Sequence, residues 1–137
     1  MTDWAIDKSA LWKLPRSPDY PTWIDRINQG RVWVSLPTVL GVAVSSRDVA
    51  DWPRLRDAVL APLLTLNATP RSERRAVEIM AALIAARLHR SVPLPDILIA
   101  SLAVEHRLSV LHDDHDFDRI RSVYGDRPDV ERLRLPG

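Results

Sequence analysis

Asp96-Ile-Leu-Ile-Ala-Ser-Leu-Ala-Val-Glu105, followed three residues later by Ser109-Val-Leu-His-Asp-Asp-His-Asp-Phe-Asp118, decides the fold. The first stretch starts a helix after Pro93 and Pro95 and is apolar nearly all the way round, the pattern of a helix buried on most sides. In the second, Ser109–Leu111 is an apolar run too short for a helix, and it passes at once into aspartates. A buried helix feeding a buried strand is half of a βαβ unit, which needs a parallel sheet.

The same grammar extends outward. Trp4-Ala-Ile6 predicts a buried strand ending at Asp7, and Ser9-Ala-Leu-Trp12 opens a helix with Ser9 as its expected cap. Thr22–Asn28 has helical spacing and is stopped by Gly30, and Val32-Trp-Val34 predicts a second strand. Pro37 suits the first turn of a helix through Ser46. A further helix is expected over 49–59, a short strand over 63–66, and a long amphipathic helix over Arg71–Leu88 with Ala76, Ile79, Met80, Leu83, Ile84 and Leu88 on one side. Glu131-Arg-Leu-Arg-Leu135 alternates with period two and predicts an edge strand. Strands separated by helices give a three-layer α/β domain with a mainly parallel sheet and right-handed crossovers.

Composition narrows the function. With 137 residues, one domain spanning 1–137 is expected, and 46% hydrophobic content is enough for one core. No apolar run reaches the roughly 18 to 20 residues of a membrane span. No basic segment followed by an apolar one opens the chain, so a cytoplasmic protein is expected. The absence of cysteine excludes disulfides, zinc-thiolate sites and cysteine nucleophiles. A net charge of +1 makes any nucleic-acid contact local. Of the 18 acidic residues 14 are Asp, and Asp favours caps, turns and metal sites, so each position carries information.

In open α/β sheets ligands bind beyond the carboxyl ends of the strands. Asp7 ends the first strand, Asp113 and Asp114 follow the Ser109–Leu111 strand, and Asp96 opens the helix before it. Three carboxylates from distant parts of the chain are thereby delivered to one edge, where without cations they would repel and raise one another's pKa values. Hard oxygen ligands with no Cys and no paired His indicate Mg²⁺ or Mn²⁺ rather than zinc. Taken singly, Asp96 and Asp7 could cap helices, and Asp113–Asp118 could be a solvated turn leading into a helix. Convergence is what argues for a site.

Ile6-Asp-Lys-Ser-Ala-Leu11 resembles the opening of PIN-domain proteins, especially the VapC toxins of bacterial toxin–antitoxin pairs. Pro95-Asp-Ile-Leu-Ile-Ala100 resembles their second motif, and Val110-Leu-His-Asp-Asp-His-Asp-Phe-Asp118 their third. The resemblance implies a three-layer α/β/α PIN-like domain and a Mg²⁺- or Mn²⁺-dependent endoribonuclease. It implies Asp7, Asp96 and Asp114 as metal-ligand acids, Asp116 as an auxiliary catalytic acid, and Ser9 as the residue orienting Asp7. It further implies a cognate VapB-type antitoxin and an RNA substrate. The family's toxins tend to dimerise, which nothing in this chain's sequence decides.

One position departs from the family. The Glu usual in the helix after the second strand falls at Gly41. We read this as a vacated acid position that weakens metal binding and turnover; the competing reading is close helix packing that admits only a hydrogen. Trp12, Trp23 and Trp33 are read as core residues, with an apolar groove for an antitoxin segment as the functional alternative. His112 and His115 are candidates to position water or RNA, though loop polar groups are the plainer reading. Arg16, Arg87, Arg90, Arg119 and Arg121 are candidates to hold RNA phosphates, with solvated surface arginine the commoner reading. Two other functions stay open: a catalytically silent PIN domain that binds antitoxin or RNA, and an α/β phosphohydrolase of small esters. No Gly-rich phosphate loop supports the second.

Overall fold

A computed structural model describes residues 2–125 and 128–137. Its centre is a five-stranded sheet in which every pairing is parallel: β1 (Trp4–Ile6), β2 (Val32–Ser35), β3 (Leu64–Leu66), β4 (Ser109–His112) and β5 (Asp129–Arg132), in the order β3-β2-β1-β4-β5. Successive strand residues point to opposite faces. Trp4 and Ile6 therefore enter one core with Val32, Val34 and Leu111, while Ala5 enters the other with Val110 and Leu66. The first core is closed by α1 (Lys8–Lys13), α2 (Tyr20–Asn28) and α3 (Leu36–Val44). The second is closed by α5 (Pro70–Ala85), α6 (Leu94–His106) and α7 (Asp116–Val123). This is the α/β/α arrangement expected from the strand–helix alternation.

Several boundaries differ for local reasons. Ser9 does not cap α1; the cap is Asp7, whose Oδ1 accepts the Ala10 N–H at 3.0 Å. Asp96 does not cap α6: it lies in the first turn, behind Pro93 at the cap position. Helix α2 begins at Tyr20, two residues earlier than expected, with Pro21 in its first turn. The helix expected over 49–59 is α4 (Asp51–Leu55) followed by a wider turn, Arg56–Leu60, closed by Ala61 N–H to the Arg56 carbonyl.

Helix α5 stops at Ala85 because Arg87 adopts a left-handed conformation and Leu88 N–H returns to the Leu83 carbonyl at 2.8 Å. The same closure ends α6, with Arg107 left-handed and Leu108 N–H on the Ala103 carbonyl, and it aims the chain into β4. Strand β5 lies at the sheet edge but ends at Arg132. Leu133 then turns inward, and Arg134 pairs with Asp19 at 2.6 Å. Helix α7 is the element that the sequence left as a mere helix start.

The chain leaves β1 toward β2 on one side and reaches β4 on the other. That reversal places a crevice beyond the carboxyl ends of β1 and β4. No helix is long and apolar enough to cross a membrane, among the described residues.

Candidate active site

The crevice is a cleft of about 480 Å³ with Asp7, Asp96, Asp114 and Asp116 on its walls. Asp7 is buried and arrives from β1, whose end is tied to β4 by Asp7 N–H to the Leu111 carbonyl at 3.1 Å. Asp96 comes from the first turn of α6 and Asp114 from the loop after β4. One carboxylate oxygen from each of these three lies within 4.8 Å of the others.

So close a set cannot be fully ionised cheaply. Burial pushes the Asp7 carboxyl up to about 7, against the lowering effect of the Ala10 N–H and the Ser9 hydroxyl, and Asp114 adds repulsion. Burial likewise pushes Asp96 up to about 8, followed by repulsion from Asp114 and contact with Asp116. Three hard oxygen donors brought this close together form a fitting cage for a small divalent cation.

Neighbouring groups fix these acids. Ser9 Oγ lies 2.8 and 2.9 Å from the two Asp7 oxygens and accepts the Asp113 N–H at 2.9 Å. Asp114 Oδ1 accepts the Asp116 N–H at 2.9 Å, at the start of α7. His112 is buried, packs against Phe117 with the rings tilted and their centroids 5.4 Å apart, and accepts the Asp114 N–H on Nδ1 at 3.3 Å. Burial holds its pKa below the usual value, which suits a neutral ring with its proton on Nε2. His112 is thus a support beneath the site, while His115 is exposed at the rim near Arg132.

Asp113 takes no part in the cluster. Lys13 Nζ holds its carboxylate at 2.6 Å and Arg132 at 3.2 Å, and the Lys13 hydrogen bond keeps its pKa below the usual range. Asp116 stands beside the three acids and pairs with Arg119 at 2.9 Å. Gly41 lines the same cleft from α3, and the nearest atoms that a Cβ built there would meet belong to the Lys8 side chain, Cδ closest at 3.1 Å. Sequence reasoning passed over three wall residues: Lys8, Lys13 and Thr38, the last donating from Oγ1 to the Ile6 carbonyl at 3.2 Å.

Of the three tryptophans singled out, Trp23 is buried edge-on to Trp4 at 4.9 Å, and Trp33 is packed against the α5–α6 core. Only Trp12 faces outward. It lines both the acidic cleft and an adjoining groove of about 330 Å³ whose walls include Leu11, Ile24, Ile27, Val59 and Leu63.

The family model described as "PIN domain" matches residues 5–123. The chain is 40% identical to Ribonuclease VapC2 of Mycobacterium tuberculosis (strain CDC 1551 / Oshkosh), over 97% of this chain and 95% of that protein. It is 44% identical to Ribonuclease VapC51 of Mycobacterium tuberculosis (strain ATCC 25618 / H37Rv), over 88% and 86% respectively. In fold it is similar to a chain of the DNA-bound VapBC crystal structure from Salmonella typhimurium, with a TM-score of 0.75 at 18% identity, covering 96% of this chain and 98% of that one. A chain of VapBC-5 from Mycobacterium tuberculosis gives 0.67 at 20% identity, covering 98% and 100%. With its three motifs in order and a family match across most of its length, the chain belongs to the VapC ribonucleases of the PIN-domain family.

Proposed function

We propose that this chain is the toxin of a VapBC-type pair, a divalent-metal-dependent endoribonuclease acting on cytoplasmic RNA. The convergence of Asp7, Asp96 and Asp114 carries the reading. These three would hold the ion, with Asp116 as an auxiliary acid. When bound, Mg²⁺ or Mn²⁺ supplies a Lewis acid for a phosphate oxygen and acidifies a coordinated water. The chain's own part is positioning. Ser9 fixes the Asp7 carboxylate, His112 and the start of α7 fix Asp114, and the cleft admits a backbone phosphate from a single strand or loop, where duplex shielding is absent. In-line displacement at phosphorus needs placement and charge neutralisation more than a protein nucleophile, which matches a wall of carboxylates.

A VapB-type antitoxin is the partner. The apolar groove beside α1 suits a helical segment. Because Trp12 belongs to groove and cleft alike, a chain leaving the groove runs directly over the acids. Pairing of two copies fits the apolar face between α3 and α6, where Leu36, Leu40, Val44, Leu94 and Leu98 are exposed. Helix α3 carries no charge, so a two-fold axis can set it against itself without like-charge repulsion. A solution mass reduced from dimer to monomer by Leu40→Asp is the expected check.

The deciding experiment is RNA cleavage with Mg²⁺ or Mn²⁺ by this chain and its Asp7→Asn variant. Metal-dependent cleavage lost in the variant upholds the reading. A second reading, a silent domain that binds without cutting, is favoured by the missing carboxylate at Gly41. Binding of RNA with no cleavage would select it.

A further inference from the structure

Seventeen of the 19 basic residues are Arg; the two lysines, Lys8 and Lys13, both lie on α1 and both line the acidic cleft. Their circumstances differ. The Lys13 ammonium is taken by Asp113 at 2.6 Å, and Arg119, beside the cleft, is taken by Asp116. Among the described residues Lys8 makes no ion pair, although four aspartates share its cleft. It also occupies the first position of its helix, where the macrodipole favours an acid over a cation. Local helix chemistry therefore does not explain its charge. Its stem lies over Gly41, with Cδ 3.1 Å from where a Cβ would stand, so the bare glycine leaves the room that the lysine uses.

We propose that Lys8 binds a phosphate of the RNA strand over the acid cluster, a phosphate-binding role distinct from holding the metal. This rests on the ribonuclease reading above. A compact ammonium suits that role because it approaches a phosphate oxygen from any direction, whereas a guanidinium needs a matching fork. Its free charge offsets the field of the carboxylates, which would otherwise repel the anionic strand as it enters.

The test is binding of a fluorescently labelled, unstructured, mixed-sequence oligoribonucleotide in Ca²⁺, measured across a salt series for the unsubstituted chain, Lys8→Met and Lys8→Arg. Met keeps the stem over Gly41 and removes only the charge. Lys8→Met should bind roughly three- to tenfold more weakly at low salt, with the slope of log affinity against log salt shallower by about 0.7, the value for one phosphate contact on a single strand. Lys8→Arg should restore the slope. Melting temperature and its shift with Mg²⁺ should be no lower in Lys8→Met, which separates a phosphate contact from a packing or metal-holding role. An unchanged slope in Lys8→Met with binding intact overturns the assignment alone. Absence of salt-sensitive binding by the unsubstituted chain overturns the ribonuclease reading and the assignment together.

Discussion

Ser9 Oγ stands 2.8 Å from Asp7 Oδ1 while accepting the backbone N–H of Asp113, so one hydroxyl joins the end of β1 to the end of β4 across 104 residues of chain. It donates to the deepest acid of the cluster and so favours its ionised form. Ser9→Ala removes that donor and leaves the Asp113 N–H without its partner. Side chains that orient a metal ligand are typically worth about 10- to 100-fold in metal affinity or activity. Cleavage is expected to fall by that factor and stability by about 1 kcal/mol. Initial rates over a Mg²⁺ titration, with a urea melt, check both. Full activity in Ser9→Ala would remove Ser9 from the machinery.

The site was legible where local pattern and topology agree. Trp4-Ala-Ile before Asp7 and Ser109-Val-Leu before Asp113 read as buried strands, so both could be placed at a carboxyl edge; Asp96 followed from the apolar helix it opens. Choosing between Asp113 and Asp114 was beyond local reasoning, because the choice is made by Lys13, 100 residues away in sequence. Helix α7 was obscured because only Phe117 and Ile120 among its first residues are buried and its aspartates read as a turn. The lysines' location has meaning only because α1 forms a wall of the cleft, which is a tertiary fact. The tryptophans were misleading as a set, since exposure is decided by the facing element: Trp12 looks outward while Trp23 packs on Trp4.

That division of labour between neighbours is testable. Asp113→Asn removes partly exposed ion pairs to Lys13 and Arg132, which should cost no more than about 1 kcal/mol and alter cleavage only a few-fold. Asp114→Asn removes a carboxylate from the cluster and should depress cleavage by roughly a hundredfold or more. It should not lower the melting temperature of the metal-free protein. The amide oxygen can still receive the Asp116 N–H, and repulsion with Asp7 and Asp96 is relieved. Equal losses of activity in the two variants would refute the distinction.

The metal-free protein should lose stability as pH rises from about 6.5 to about 8.5, through the two raised carboxyls. Asp7 and Asp96 have folded-state values of about 7 and about 8, above their ordinary 3.8, so the folded state holds protons that the unfolded chain has already released. Their stabilising effect is complete only below about 3.8, declines from there because the unfolded chain alone has released these protons, and its last part is lost as pH passes through those two values. Asp19, Asp51 and Asp113 are shifted downward and are ionised throughout this window. At more acid pH the sign is opposed by His112, whose lowered value makes protonation favour the unfolded chain. A divalent cation replaces the retained protons, so Mg²⁺ should raise the melting temperature more at the alkaline end of the window than at the acid end. Thermal melts with and without Mg²⁺ measure this, and a pH-independent Mg²⁺ effect would contradict the coupling.

Gly41 offers the sharpest change of function. Glycine within α3 costs helix stability, and Gly41→Glu should recover about 0.5 kcal/mol of it. The nearest neighbour of the new Cβ is the flexible Lys8 stem, which must give by a few tenths of an ångström, so folding should be intact. If the position is a vacated acid, the added carboxylate strengthens the donor set, and cleavage with Mg²⁺ or Mn²⁺ should rise roughly tenfold or more. Adding Asp7→Asn should then abolish the gain. Because a glutamate at 41 also places a charge beside Lys8, the more active variant should show a shallower salt dependence of RNA binding. A folded Gly41→Glu protein with no gain in cleavage and no change in Mg²⁺ affinity would show that the glycine is there for Lys8 rather than in place of an acid.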